Sequence, residues 1–193
     1  MSKVVAHMSM SLDGYVADPS DGCEELFGWY GNGEVEVPSN DPRWTFHVSA
    51  ASAPMLREAF DGCGALVCGR RLFDHTKGWG GNHPTGAPLF VVTHRPIVDW
   101  PHPVTFVTDG VASAIEQAKQ VAGDKVIAAA STTVVQQCLD LDLLDEIQVN
   151  LVPVLMGEGI PFFPNLTRTP VRLTDPEVIA GKGVTHLRYQ VEH

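Results

Sequence analysis

The chain alternates between short apolar runs and amphipathic stretches. Residues 3–10 form a largely apolar run rich in Val and Met, which predicts a buried strand. Apolar residues at Ala53, Leu56, Ala59 and Phe60 fall at helical spacing, as they do again through residues 111–122. Elements of both kinds alternate up to Leu151, after which only strands follow.

The remaining elements continue this order. Further strands are predicted at residues 65–69, 89–93, 104–108, 125–129 and 147–151, with two more in the tail at 170–193. Short helices are predicted to begin at Arg70 and at Ser131 or Thr132, either of which can cap the second one. Asp109 is expected to cap the helix at 111–122, and Gly123 to supply its left-handed stop.

This order of elements predicts an α/β fold. Helices between consecutive strands favour a mostly parallel sheet, and the closing strands favour an antiparallel edge. No repeat, low-complexity tract or linker interrupts the pattern, so residues 1–193 are predicted to form a single domain.

One long segment stands outside the alternation. Residues 18–43 are rich in Gly, Asp, Pro, Asn and Ser but also carry Phe27, Trp29 and Tyr30. The composition predicts a long surface loop, and loops of this length are often functional. It is interpreted either as a substrate lid or as a packed insertion.

Charge and composition exclude several classes of protein. The formal net charge is -10, which disfavours binding to nucleic acid, and 44% of the residues are hydrophobic, as in ordinary globular proteins. No run of about 20 apolar residues predicts a membrane span. The four cysteines form no CxxC pair and the amino terminus has no secretory pattern, so we expect a cytoplasmic protein with reduced thiols.

Several common catalytic motifs are absent. The sequence lacks GxGxxG, GxxxxGK[ST], HExxH and GxSxG, which argues against a Rossmann dinucleotide fingerprint, a P-loop, a zincin and a standard α/β hydrolase. The eight histidines are scattered, so no metal site is predicted.

Polar and glycine residues follow three of the predicted strands. Open α/β sheets bind ligands at the carboxyl ends of their strands, and helix amino termini there attract phosphate. Each group is also consistent with an ordinary polar turn that binds no ligand. The candidate cofactor-binding residues are Gly69, Arg70 and Arg71 at the first end, Thr93, His94 and Arg95 at the second, and Ala129, Ala130, Ser131, Thr132 and Thr133 at the third.

Three motifs in order resemble one family. MSMSLDG at residues 8–14, GRRLF at 69–73 and LLDE at 143–146, followed by LVPVLMGEG at 151–159, are similar to the dihydrofolate-reductase-like superfamily. The likeness is greatest to the C-terminal reductase domain of the riboflavin-biosynthesis deaminase/reductase, and it covers nearly the whole chain. It implies a three-layer α/β/α fold with antiparallel C-terminal strands.

The resemblance also implies a function. It suggests an NADPH-dependent reductase of a small heterocyclic or sugar-derived substrate, similar to 5-amino-6-(5-phosphoribosylamino)uracil reductase, acting as a homodimer. The three strand ends would surround the cofactor, and Asp13 would be a catalytic residue facing the substrate or the nicotinamide ribose. A dihydrofolate or pterin reductase, or a non-catalytic nucleotide-binding protein, are the alternatives. Val152, Val154 and Leu155 would lie at the dimer interface or complete the core of the monomer.

Three departures from the family pattern are visible. Glycines of the family are replaced by Ala129, Ala130 and Ser131, whose added atoms narrow the approach to a diphosphate. Asp142 stands where the family has glycine, and Asp tolerates the left-handed conformation better than most residues. The zinc-deaminase motifs of the bifunctional enzymes are missing, so that step is not expected.

Overall fold

A computed structural model describes residues 2–193. Its helices and strands appear below in chain order, together with two short 3₁₀ segments at Gly28–Tyr30 and Lys77–Gly81. They are β1 (Val4–Ser11), β2 (Tyr15–Ala17), α1 (Glu24–Phe27), β3 (Val35–Pro38), β4 (Thr45–Val48), α2 (Ala53–Gly62), β5 (Cys63–Gly69), α3 (Arg70–His75), β6 (Leu89–Val92), β7 (Thr105–Val107), α4 (Val111–Ala122), β8 (Val126–Ala130), α5 (Thr132–Asp140), β9 (Glu146–Val152), β10 (Ile160–Pro161), β11 (Glu177–Gly181) and β12 (Val184–Gln190).

The fold is organised around one eight-stranded sheet. Its strand order is β11-β12-β9-β1-β8-β5-β6-β7. The six strands from β9 to β7 are parallel, whereas β12 and β11 join by antiparallel pairing. This arrangement confirms the predicted mixed sheet with antiparallel C-terminal strands.

The two faces of the sheet bury different side chains. Val4 and Ala6 of β1 face the apolar core formed with α4 and α5. The alternate residues of β1 face α2, α3 and the segment that precedes α2, because successive side chains of a strand point to opposite sides. Helices therefore cover both faces, as a three-layer arrangement requires.

The segment at residues 18–43 departs from the predicted loop. It contains α1, a 3₁₀ turn and β3, which forms a hairpin with the following β4, and its Leu26, Trp29 and Val37 are buried in a second core with α2. The prediction of a long surface loop is wrong because its apolar residues lie too far apart to reveal a period. The interpretation as a packed insertion matches the structure.

Both predicted helix caps differ from the structure. Gly110, not Asp109, is the N-cap of α4 and has no side-chain bond. Ser131 is the N-cap of α5, but its hydroxyl does not cap that helix. Asp142 does adopt a positive φ of 61°, as expected where a glycine is replaced.

Two further observations bear on the surface of the chain. Within residues 2–193, no helix combines the length and apolarity that crossing a membrane requires. Val152 is buried and Val154 packs against the second core, whereas Leu155 is 69% exposed. Of the three residues considered for a dimer interface, Leu155 is thus the one that remains open to a partner.

Candidate functional site

A cavity of about 920 Å³ lies between the sheet and helices α2 and α3. Gly69 and Ala130 line it at the carboxyl ends of β5 and β8, and Cys63 and Val126 line it near the starts of the same strands. The cavity therefore extends along the whole length of the central strands. Its volume lies in the range of small-molecule and cofactor sites.

The mouth of the cavity is formed where β5 meets the amino terminus of α5. The Gly69 N–H donates to Ser131 Oγ at 3.0 Å. Ser131 has a φ of 87°, and its hydroxyl accepts this bond instead of capping the helix that it precedes. A Cβ on Gly69 would lie 3.0 Å from Ser131 Oγ and 3.4 Å from Thr133 Oγ1. Glycine thus leaves a gap lined by two hydroxyls beside a helix amino terminus, where anions are favoured.

Arginines flank this mouth. Arg70 Nε pairs with Asp74 at 2.8 Å, and Arg70 Nη1 donates to the carbonyl of Arg95. The Thr93 hydroxyl accepts from the Arg95 N–H at 3.1 Å. The Arg70–Arg95 bond therefore joins the predicted group after β6 to the predicted group after β5. Arg71, 68% exposed, pairs with Asp21 at 2.9 Å, a contact that water screens strongly.

The structure brings most of the predicted cofactor residues together. Thr93 is buried at the end of β6, whereas His94 and Arg95 are exposed beside Arg70; these three do not line the cavity. The predicted residues that do line the cavity are Gly69, Arg70, Arg71, Ala129, Ala130, Ser131, Thr132 and Thr133.

Asp13 has a clear structural role. Its carboxylate accepts from the Ser11 hydroxyl at 2.6 Å and from the Met156 and Gly157 N–H groups at 3.1 and 2.7 Å. The bonds to Ser11 and Gly157 hold the pKa of Asp13 below its usual value. The side chain ties the β1 turn to the segment after β9 and does not line the cavity. Its catalytic role stays a prediction.

The LLDE motif also lies away from the mouth. Asp145 accepts from the Val4 N–H at 2.7 Å, and the buried Glu146 pairs with Lys3 and Arg188. The contacts with Val4 and Lys3 fix the start of β9 beside the start of β1, and the pair with Arg188 joins it to β12. All of them lie at the amino-terminal ends of the parallel strands, opposite the mouth. The acidic residues of this motif therefore stabilise the sheet.

The sequence did not reveal a series of hydrogen-bonded polar side chains beside the cavity. Asn150 Nδ2 donates to His7 Nε2 at 2.9 Å, and Asn150 Oδ1 accepts from His186 Nδ1 at 2.8 Å. His186 Nε2 accepts from the Ser52 hydroxyl at 2.8 Å, and Ser52 in turn contacts Ser49 at 3.0 Å. The series is consistent when both histidines are neutral with their proton on Nδ1. His7 Nδ1–H then remains free to donate.

His83 is a second histidine on the cavity wall. The Thr85 N–H donates to its Nδ1 at 3.2 Å, which makes Nδ1 an acceptor and places the proton on Nε2. Burial lowers the pKa of His83 to about 4, and the proximity of His7, a second group that would become positive in acid, contributes a smaller lowering. The side chain is therefore a neutral donor at physiological pH.

These buried histidines predict a loss of stability in acid. Burial lowers the pKa values of His83 and His186 to about 4, against about 6.5 in an unfolded chain. Between pH 6.5 and 4 the unfolded state binds more protons, so the free energy of unfolding falls as pH falls, by at most about 1.4 kcal/mol per pH unit for each histidine. We expect urea midpoints to fall across this window, and less steeply in His83→Gln. The exposed His47→Gln serves as the control, and equal slopes in all three proteins would contradict the assignment.

The loop that carries His83 is held by an arginine. Arg43 Nε donates to both oxygens of the buried Asp41 at 3.0 and 2.9 Å, and its other nitrogens donate to the carbonyls of Trp79, Gly80 and Asn82. Trp79 itself packs edge-on against His83, with ring centroids 4.8 Å apart. Arg43 thus fixes one wall of the cavity.

Comparisons with known proteins agree with this architecture. The family model described as the RibD C-terminal domain matches residues 2–186. The uncharacterized protein YwjB of Bacillus subtilis (strain 168) is 24% identical over 173 residues, which cover 89% of this chain and 88% of that protein.

Three solved structures show the fold. A protein of Shewanella sp. PV-4 provisionally assigned to riboflavin biosynthesis has a TM-score of 0.71 and 23% identity, with full coverage of both chains. A dihydrofolate reductase of Enterococcus faecalis, complexed with NADP(H) and RAB-propyl, has a TM-score of 0.59 and 14% identity, covering 99% of this chain and 97% of that one. A diaminohydroxyphosphoribosylaminopyrimidine deaminase/5-amino-6-(5-phosphoribosylamino)uracil reductase of Thermotoga maritima has a TM-score of 0.63 and 13% identity, covering 99% and 57%.

Proposed function

Because this chain belongs to the RibD C-terminal domain family, we propose that it is an NADPH-dependent reductase that transfers hydride to a small heterocyclic or sugar-derived substrate. The observation that carries this proposal is the gap at Gly69, lined by the hydroxyls of Ser131 and Thr133 at the amino terminus of α5. The gap opens into the large cavity, so one ligand can place its phosphates at the mouth and a planar ring inside.

The protein residues would bind and orient such a cofactor. Free backbone N–H groups at the start of α5, together with the Thr133 hydroxyl, would bind the diphosphate. Arg95 forms no ion pair within residues 2–193, which leaves its guanidinium available for the 2′-phosphate that distinguishes NADPH from NADH. The solved Enterococcus relative holds NADP(H) on the same fold, which supports this choice. NADPH, when bound, supplies the hydride, and the apolar walls of the cavity would shield the nicotinamide ring from water.

The pterin alternative lacks a free carboxylate. Asp13 holds a turn, and Asp41 is engaged by Arg43. The carboxylates that line the cavity, Asp21 and Glu58, are paired with Arg71 and Arg188. A pterin would need one of these pairs to open, so the geometry favours a substrate of another kind.

Titration with nicotinamide cofactors tests the proposal. We expect NADPH to raise the melting temperature by mass action and NADH to do so much less. Arg95→Ala should weaken NADPH binding about tenfold while leaving NADH binding nearly unchanged, because it removes one charge-assisted contact to the extra phosphate. Arg71→Ala should weaken NADPH binding as well.

The control for this titration is Arg168→Ala. Arg168 is a surface arginine that pairs with Asp142 and does not line the cavity. It should bind both cofactors as the unaltered protein does. The absence of binding of either cofactor at millimolar concentration would reject the reductase and favour a protein that has kept the fold without the cofactor.

A further inference from the structure

The deep half of the cavity offers no free positive charge from arginine. We define it by Val5, His7, Leu66, Val126, Ala128 and Gln148, which line the wall below the mouth. Two arginines reach this region. Arg43 is bound to Asp41, and Arg188 pairs with Glu58, Glu146 and Glu177. A phosphate that bound either of these arginines would have to displace its carboxylate, at the cost of leaving that carboxylate unpaired. Lys77, which also lines the cavity, is exposed to solvent, where water screens its charge.

The rest of this wall is mostly apolar. Val5, Leu66, Val126 and Ala128 contribute aliphatic side chains from three adjacent strands, and Phe60 closes the opposite side from α2. An uncharged planar compound would bury its surface against these groups, whereas a charged group placed against this aliphatic wall would lose its hydration and gain no partner from it.

Two neutral donors stand on the wall. The bond from Asn150 leaves His7 with a free Nδ1–H, and the bond from the Thr85 N–H leaves His83 with a free Nε2–H. Neither nitrogen has a hydrogen-bond partner within residues 2–193. In that part of the chain, Asn32 Oδ1 is the one side-chain nitrogen or oxygen that is both fully buried and unpartnered, so the two histidine nitrogens are not fully buried. Both therefore open into the cavity that the two rings line.

We propose that the deep half of the cavity binds an uncharged, largely apolar carbonyl compound, whose oxygen accepts hydrogen bonds from His7 Nδ1 and His83 Nε2. The proposal rests on the reductase function, for which this compound would be the substrate class. Asn150 is a positioning residue, because it fixes the proton of His7 on the nitrogen that faces the cavity. A phosphorylated sugar substrate is disfavoured by the same wall.

Binding of three matched probes tests this. We would titrate the full chain with 9-fluorenone, with fluorene, which lacks the oxygen, and with 9-fluorenone-2-carboxylate, which adds a charge, following quenching of tryptophan fluorescence. Fluorenone should bind tightest. His7→Phe and His83→Phe should each weaken fluorenone binding roughly three- to tenfold, the effect of one hydrogen bond, and leave fluorene unaffected. His7→Gln, which keeps an N–H donor, should retain part of the affinity.

A spectroscopic measurement separates hydrogen bonding from packing. The carbonyl stretch of bound fluorenone should lie at lower wavenumber in the unaltered protein than in either Phe variant. In ¹⁵N spectra, His7 should show its proton on Nδ1, and Asn150→Leu should abolish this preference. The exposed His47→Phe is the matched control and should change none of these signals.

The outcomes distinguish the two proposals. Fluorene binding as tightly as fluorenone, tightest binding of the carboxylate, or a His7 proton on Nε2 would each overturn the carbonyl site. NADPH binding without fluorenone binding would overturn it and leave the reductase standing. Fluorenone binding that depends on both histidines, without NADPH binding, would retain the carbonyl site and reject the reductase.

Discussion

Replacing Gly69 with valine is expected to weaken NADPH binding roughly ten- to a hundredfold, the range that follows from losing one hydrogen bond to a charged group. Even the first added carbon would lie 3.0 Å from Ser131 Oγ and 3.4 Å from Thr133 Oγ1. The two valine methyl groups would extend further into the gap through which a diphosphate must approach. Gly69 has a φ of -84°, which valine adopts freely, so the effect is one of space and not of backbone strain.

The comparison protein is Gly28→Val, where a Cβ meets nothing within 4 Å and φ is -56°. In a fluorescence titration, the Gly28→Val protein should bind NADPH as tightly as the unaltered protein does. Thermal melts of both variants would show whether the fold is retained. Unchanged cofactor affinity in a folded Gly69→Val protein would place the diphosphate elsewhere.

Replacing Trp29 with alanine is expected to cost about 3–5 kcal/mol of unfolding free energy, as truncations of buried aromatic side chains do. Trp29 is 2% exposed, stacks on Tyr30 with ring centroids 3.9 Å apart and donates from Nε1 to Ser9 Oγ at 3.1 Å. Its ring also packs edge-on against His186. The loss would be a large part of the 5–15 kcal/mol that stabilises a typical domain.

Trp44 provides the matched control for this experiment. It belongs to the same part of the chain but is 45% exposed, and Trp44→Ala should change the free energy by about 0.5 kcal/mol. Urea unfolding of the two variants gives both numbers. A small cost at Trp29 would show that the segment before α2 opens as a lid, contrary to its packed position in the structure.

Local patterns along the chain predicted the sheet and most of the helices because each element buries a regular face. The strand at β9 illustrates how far this extends. Its alternation of Ile147 and Val149 with Gln148 and Asn150 indicated two unlike faces, and the polar face does line the cavity. The sequence also indicated candidate ligand-binding residues at the carboxyl ends of β5 and β8, because glycine and hydroxyl residues follow apolar runs there.

The deep half of the cavity could not be predicted in the same way. His7 stands in a run that is otherwise apolar or small, so its strand was interpreted simply as buried. His83 lies in a Gly- and Pro-rich connection with no period at all. The bond between Gly69 and Ser131 joins residues 62 positions apart, and nothing near Ser131 distinguishes this use of its hydroxyl from a helix cap. Such contacts depend on strand order, which local spacing does not contain.

The position of β1 between β8 and β9 restricts how this protein can evolve. Val5, His7 and Ser9 line the cavity, whereas the alternate residues Val4 and Ala6 face the core with α4 and α5. An insertion or deletion of one residue would exchange the two sets, bringing His7 into the core and a methionine or alanine into the cavity. New ligand preferences can therefore arise here by substitution at alternate positions, whereas changes in strand length would be removed by selection. Descendants of this sequence should vary in the chemistry of β1 long before they vary in its length.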